Sequence, residues 1–162
     1  LRVLKPILGY DYLWLNVRVK GGAYGVMNSA GRSGEGYFVS YRDPNLKETD
    51  QVFEGVADYL EQFDADERDM TKYVIGTISD MDTPLLPPYK GAKAVSAWYS
   101  GITDEMLAEE RRQVLAAQPE DIRALAKIIR AILSTGSFCV VGNSEKIKEN
   151  KELFGSIKNL FN

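Results

Sequence analysis

A helix that stops abruptly near the start of the chain constrains the fold more than any other feature of the sequence. One helix face, with i, i+3, i+4 and i+7 spacing, is formed by Tyr10, Leu13, Trp14 and Val17. This spacing predicts a helix over about residues 5–20. Gly21-Gly22 then supplies the left-handed residue that commonly ends a helix. The next segment must therefore begin beside this helix end.

Two short strands are predicted directly after the helix. Residues 23–30 and 35–42 flank the loop at residues 31–34, and Tyr37, Val39 and Tyr41 alternate in the second run. Alternation around a short glycine-containing loop is typical of a β-hairpin. A further strand, buried in the core, is predicted over residues 137–141.

Capping residues indicate where several later helices begin. Asn45 with Glu48 three residues on resembles a capping box that opens a helix over about residues 46–63. Asp66 and Thr103 each precede a further helical run, and their side chains are favoured N-caps. The sequence therefore predicts helices that start at these three points.

Prolines divide the second half of the chain. The helix that Asp66 opens should end before Pro84, and residues 84–91 are expected to form an exposed connection. A short helix is predicted at about residues 93–99. Pro119 suits a first helical position. The core stripe of the helix that it opens is formed by Ile122, Leu125, Ile129 and Ile132.

The order of these elements predicts an α+β domain, with helices packed on a small, mainly antiparallel sheet. A last helix should start at residue 143 or 144. A length of 162 residues suits one domain. Three strands are few for so many helices, and the chain starts at Leu1 rather than at methionine. We therefore expect residues 1–162 to be a single domain of a larger protein, truncated at its N-terminus.

The composition limits the kinds of site that the chain can hold. It has no histidine and one cysteine, which excludes a histidine general base and a histidine- or thiolate-ligated zinc. Cys139 lies in an apolar run and is predicted to be a buried hydrophobe. The net charge is −3 with both signs interleaved, so no nucleic-acid surface is expected. No apolar run approaches the roughly 20 residues of a membrane span. We expect a soluble protein of the cytoplasm or an organelle interior.

The segment from Arg18 to Tyr24 is the best candidate for chemistry. A helix end and the following strand start meet at one edge of a domain, so both side chains can project toward one point. A guanidinium and a phenol there can bind a carbonyl oxygen and stabilise negative charge on it. Gly21, Gly22 and Gly25 leave room for another backbone to approach.

The residues alone leave a structural interpretation of this segment open. Arg18 and Lys20 in a last helical turn are favoured by the helix dipole, by about 0.3–1 kcal/mol. Tyr24 also fits a half-buried strand residue, and the glycine pair a plain helix stop. A phosphate site is disfavoured, because the glycines follow a helix instead of preceding one.

Three other groups are interpreted as structural. The acidic and basic residues at 109–112 are expected to form a solvated helix face. Arg42 and Asp43 could form an ion pair that shapes the turn before the next proline. Trp98 and Tyr99 are expected in the core.

Three runs resemble the C-terminal domain of presequence proteases, members of the pitrilysin/insulinase group of inverted zinc peptidases. They are Tyr-Leu-Trp at 12–14, Val-Arg-Val-Lys-Gly-Gly-Ala-Tyr-Gly at 17–25, and Tyr-Phe-Val-Ser-Tyr-Arg-Asp-Pro-Asn-Leu at 37–46. Relatives commonly carry Asn-Glu where this chain has Leu-Asn at 15–16, which puts polar contacts from those positions in doubt.

The resemblance implies a protein of four related α+β domains that close around a chamber. Zinc is bound by an N-terminal domain, on a His-x-x-Glu-His motif, and none by this chain. Arg18 and Tyr24 match the arginine and tyrosine that the last domain contributes, implied to hold the scissile peptide and stabilise the tetrahedral intermediate. The implied partners are a short unfolded peptide substrate and the zinc-binding domains of the same protein. Alone, the chain should be inactive.

Two functions from other classes compete with this interpretation. One is a catalytically inactive paralogue domain that acts as a structural or peptide-binding partner. Retention of both Arg18 and Tyr24 argues against it, because a purely structural domain does not need the pair. The other is an unrelated α+β interaction module, which a helix not ending at Gly21-Gly22 beside the hairpin would favour.

Overall fold

The first helix, α1, is continuous but wider than a regular α-helix over most of its length. The computed structural model describes residues 1–32 and 34–160. Within α1, Leu4–Ile7 is α-helical, whereas Leu8–Tyr12 and Trp14–Lys20 are π-helical. In π-helical turns the main-chain hydrogen bonds span five residues, and such turns are frequent at functional sites. The predicted helix is confirmed, with an unpredicted change of pitch.

The change of pitch alters which side of α1 faces the core. Leu8, Leu13 and Val17 are buried, following the wider spacing of a π-helix. Tyr10 is 74% exposed and Trp14 is 42% exposed. The predicted stripe was therefore wrong at these two positions, because it assumed 3.6 residues per turn along the whole helix.

The hairpin consists of β1, Gly25–Ala30, and β2, Gly36–Tyr41. The strands are antiparallel, with Gly25 opposite Tyr41 at the end nearest α1 and Ala30 opposite Gly36 at the turn. Val26 and Phe38 pack against the core from one face. The predicted hairpin is confirmed; Ser33, in the predicted loop, lies outside the described residues.

The remaining regular elements of the described chain are helices. The helices are α2 Lys47–Glu54, α3 Val56–Glu61, α4 Glu67–Met81, α5 Pro87–Tyr99, α6 Asp104–Leu115, α7 Pro119–Ala124, α8 Ala126–Leu133 and α9 Ser144–Glu149, followed by a 3₁₀ turn at Lys151–Leu153. Asp66 accepts a hydrogen bond from the Asp69 N–H at 2.8 Å, and Thr103 accepts one from the Met106 N–H at 3.3 Å. Both predicted caps are confirmed.

The core lies between α1, α3 and the helices α7 and α8. Its fully buried large side chains are Ile7, Leu8, Leu13, Val17, Val56, Leu60 and Ile122. In the predicted stripe of the later helix, Ile122 and Ile129 are buried, and Leu125 and Ile132 pack partly against the core. The predicted α+β class is confirmed, with helices packed on a small antiparallel sheet. No helix of the described residues is long and apolar enough to span a membrane.

The exposed connection predicted at residues 84–91 was wrong in part. Helix α5 already begins at Pro87, because its two adjacent prolines occupy the first helical positions. A proline there lacks only an N–H that would have no helical partner. Helix α5 buries none of its residues, and Trp98 and Tyr99 are 75% and 78% exposed. Their predicted place in the core was wrong.

The buried strand predicted at residues 137–141 is absent. The segment is irregular, and Cys139 is exposed instead of buried. It faces β2 across an open groove of about 630 Å³. A strand needs a neighbour about 4.8 Å away to pair its main-chain groups, and this groove separates the segment from β2. The apolar composition of residues 137–141 was therefore not sufficient to predict a strand.

Candidate functional site

Arg18 and Tyr24 lie together at the corner where α1 ends and the hairpin begins. The Arg18 guanidinium donates a hydrogen bond to the main-chain carbonyl oxygen of Tyr24. Its central carbon lies 4.4 Å from the centre of the Trp14 ring and 5.6 Å from that of the Tyr24 ring. The structure therefore brings together the two side chains singled out in the sequence. We call Trp14, Arg18, Tyr24, Tyr41 and Arg42 the corner.

The glycine pair sets the geometry of the corner by ending α1 at a left-handed residue. The Ala23 N–H donates to the Val17 carbonyl oxygen at 3.1 Å, and the Gly22 N–H to that of Arg18 at 2.9 Å. Gly22 has φ +80°, the left-handed conformation that commonly ends a helix and that glycine adopts without strain. A Cβ on Gly21 would lie 2.6 Å from the Val17 carbonyl oxygen. The turn between Arg18 and Tyr24 is therefore fixed by main-chain contacts.

Gly25 has different surroundings from the other two glycines. No atom lies within 4 Å of a Cβ built on it, so its face is open. The space at Gly21 is filled by the chain's own backbone. Gly25 thus offers room for a second backbone, whereas Gly21 and Gly22 shape the turn.

Asn45 fastens the corner to the start of α2 in a way that the sequence did not indicate. Its side-chain amide donates to the Gly21 carbonyl oxygen at 2.6 Å. The predicted capping box was therefore wrong: α2 has no side-chain cap, because this amide binds the end of α1. The Asp43 carboxylate accepts from the Asn45 N–H at 2.9 Å and from the buried Thr49 hydroxyl at 2.8 Å.

Arg42 also belongs to the corner, which sequence reasoning missed. Its guanidinium carbon lies 5.7 Å from the centre of the Tyr24 ring and 5.4 Å from that of Tyr41. Tyr24 and Tyr41 pack edge to face at 5.9 Å. The predicted ion pair between Arg42 and Asp43 is not formed, because the carboxylate of Asp43 is used by the following turn. The one sequence signal for a role of Arg42 was its place in the run at residues 37–46, which resembles the presequence protease family.

The corner is open to solvent and positively charged. Tyr24 is 62% exposed and Tyr41 53%. Lys20 adds a further positive charge at the end of α1, and its ammonium donates to the Asn16 side-chain oxygen at 3.1 Å. Two guanidiniums beside exposed aromatic rings can bind an oxygen atom that carries negative charge.

Residues 15–16, where the sequence departs from the family pattern, lie within the last turns of α1. The Asn16 amide donates to the Tyr12 carbonyl oxygen at 2.8 Å, so this side chain turns back onto its own helix. Leu15 is 47% exposed. Neither side chain forms a hydrogen bond with Arg18 or Tyr24.

The described residues offer no suitable set of ligands for zinc. It has no histidine and one cysteine. Over residues 1–32 and 34–160, no three histidine, cysteine, aspartate or glutamate side chains converge closely enough to hold a metal ion. The donors that zinc prefers are therefore missing from the corner.

Comparison with known proteins gives the family. The family model of the PreP C-terminal domain matches residues 1–145, which include the whole corner. The chain belongs to this family. Protein HypA of Clostridium perfringens is 49% identical to this chain over 160 residues. The alignment covers 99% of this chain and 16% of HypA.

Presequence proteases are also among the relatives of this PreP C-terminal domain. Presequence protease 1, chloroplastic/mitochondrial, of Arabidopsis thaliana is 35% identical over 146 residues, which are 90% of this chain and 14% of the relative. The mitochondrial presequence protease of Schizosaccharomyces pombe is 30% identical over 128 residues, which are 78% of this chain and 13% of the relative. The domain therefore spans about one sixth or less of each of these curated relatives.

Proposed function

We propose that this domain supplies the substrate-binding and transition-state-stabilising side of a zinc metalloendopeptidase that degrades short unfolded peptides. The observation that carries the proposal is the placement of Arg18 and Tyr24 side by side at an open corner. Membership of the PreP C-terminal domain family and similarity to presequence proteases support it.

The two side chains suit the charge that develops when a peptide bond is attacked. As the carbonyl carbon becomes tetrahedral, negative charge collects on its oxygen. Donors already held in place stabilise that charge without rearrangement. One Arg18 N–H is used by the Tyr24 carbonyl oxygen, which leaves the other donors of the guanidinium for substrate. The Tyr24 hydroxyl supplies a second, directional donor.

The open face at Gly25 supports a path for the peptide backbone beside these donors. A side chain at this position would extend into the space that a second backbone needs. We assign Gly25 to substrate binding, and Gly21 and Gly22 to the shape of the same binding turn. The peptide would thus lie along the start of β1.

The metal must be held outside this chain. Zinc, when bound by the other domains, would supply the activation of water; this chain's residues bind and orient the peptide. The partners are the N-terminal zinc-binding domains of the same protein, and the chain alone is inactive. A His-x-x-Glu-His motif in the same polypeptide would separate this function from that of an inactive paralogue.

Two substitutions in the full-length peptidase test the proposal. Arg18→Ala and Tyr24→Phe should each lower kcat by roughly 100-fold or more, because each removes one donor to the developing charge. Zinc content, measured by atomic absorption, should stay unchanged. Tyr10→Phe is the matched control, since Tyr10 is exposed on the same helix outside the corner. Unaltered turnover in both variants would overturn the assigned roles.

A further inference from the structure

Arg42 holds a backbone conformation that arginine rarely adopts. Its φ is +49°, and the described residues include no other non-glycine residue with positive φ. Such a conformation persists only where the surroundings impose it, and it is enriched at functional sites. Arg42 is therefore a candidate for a role beyond ending the strand.

Main-chain contacts on both sides impose this conformation. The Tyr24 N–H donates to the carbonyl oxygens of Tyr41 at 3.1 Å and of Arg42 at 3.3 Å. Immediately afterwards, Asp43 and Asn45 lock the turn into α2. Arg42 is thus held between two fixed points, with its guanidinium beside the Tyr24 and Tyr41 rings.

No carboxylate of the described residues pairs with Arg42. Most arginines of the described chain have a carboxylate partner, namely Arg2, Arg32, Arg111, Arg112, Arg123 and Arg130. Among the described residues, Arg18, Arg42 and Arg68 have none. Two of these three therefore lie in the corner, where the one adjacent carboxylate, that of Asp43, is engaged elsewhere.

We propose that Arg42 binds a carboxylate of the peptide substrate, beside the peptide group that Arg18 and Tyr24 engage. The proposal rests on the proposed function. A guanidinium presents two parallel N–H groups that match a carboxylate, and flanking rings hold its plane in position. The carboxylate can come from an acidic side chain or from the free C-terminus of a short peptide.

The test uses two pairs of peptides and the full-length peptidase. One pair differs by aspartate or asparagine next to the cleaved bond, and the other by a free or amidated C-terminus just beyond that bond. The wild-type enzyme should cleave the acidic member of at least one pair with roughly tenfold higher kcat/KM. The pair that shows the preference identifies the source of the carboxylate.

Substitutions assign that preference to Arg42. Arg42→Gly adopts φ +49° without strain, so it removes the guanidinium while keeping the backbone. It should lower kcat/KM for the acidic peptide far more than for the neutral peptide, mainly through a higher KM, and so abolish the preference. Arg42→Lys, which keeps the charge, should keep part of the preference. Arg68→Ala is the control, and its preference should equal that of wild type.

Different outcomes separate this inference from the proposed function. If Arg42→Gly keeps the wild-type preference, or if the wild-type enzyme shows none in either pair, the inference is overturned while the peptidase assignment stands. If the zinc-loaded wild-type enzyme cleaves none of the peptides, the proposed function fails, and the inference falls with it.

Discussion

At the scale of single residues, the corner depends on glycines with unlike surroundings. Gly22 is left-handed, and Gly21 sits against the Val17 carbonyl oxygen. Gly25 faces open space. The same substitution, glycine to alanine, should therefore affect stability at the first two positions and substrate cleavage at the third.

Gly22→Ala should lower the free energy of unfolding by about 1–2 kcal/mol, because a Cβ in the left-handed region is strained. Gly25→Ala should leave it unchanged within about 0.5 kcal/mol, since nothing opposes a Cβ there. Urea denaturation of both variants measures the difference. In the full-length enzyme, Gly25→Ala should still lower kcat/KM by obstructing the peptide. Equal stability losses in the two variants would contradict this division.

The sequence indicated some of these residues and not others, for physical reasons. Arg18 and Tyr24 flank the end of α1, and the glycine pair that ends this helix can be recognised from the local sequence. The positive φ of Arg42 is imposed by contacts with Tyr24, eighteen positions earlier, and no local pattern reports it. The Asn45 amide likewise binds Gly21 instead of its own helix. Local patterns therefore predicted Arg18 and Tyr24, but not the supporting contacts made by Arg42 and Asn45.

At the scale of elements, helix starts were predictable and helix pitch was not. Asp66, Thr103 and Pro119 act within one turn of themselves, so their effect can be seen in the sequence. In the π-helical α1, Leu13 and Val17 of the predicted stripe are buried together with Leu8, whereas Tyr10 and Trp14 are exposed. This difference depends on packing with elements that come later in the chain.

The missing strand shows the same limit for sheets. Residues 137–141 are apolar enough to form a strand, yet the groove beside β2 leaves them without a partner. Pairing is a property of two segments, whereas the hairpin pairs its strands through one short loop. Local strand pairing could therefore be predicted and distant pairing could not.

At the scale of the whole molecule, a cluster of tyrosines joins α1, α3 and α4. Tyr12 and Tyr59 stack with ring centres 4.6 Å apart, and the Tyr73 hydroxyl donates to the Asp11 carboxylate. Burial, aided by the nearby charge of Asp11, raises the pKa of Tyr59 from its ordinary value of 10 to about 12. Burial and the hydrogen bond to Asp11 also raise the pKa of Tyr73.

This cluster predicts a loss of stability in alkali. In the unfolded chain these tyrosines ionise near pH 10, whereas in the folded domain Tyr59 keeps its proton until about pH 12. Unfolding then releases protons, so the contribution of these tyrosines to the free energy of unfolding should be constant below about pH 9 and fall between pH 10 and 12. Urea denaturation from pH 7 to 11 measures it. Tyr59→Phe should flatten the fall, whereas Tyr89→Phe, at an exposed position, should not. An unchanged slope in Tyr59→Phe would contradict the assignment.

The central claim is that Arg18 and Tyr24 stabilise the transition state of peptide cleavage. The direct measurement is the inhibition constant of a phosphinic peptide, a tetrahedral analogue of that state, for wild-type and Tyr24→Phe full-length enzyme. The account predicts that the inhibition constant rises by the same factor by which kcat/KM falls, roughly 100-fold or more. A Tyr24→Phe enzyme that loses kcat/KM but binds the phosphinic peptide as tightly as wild type would contradict it.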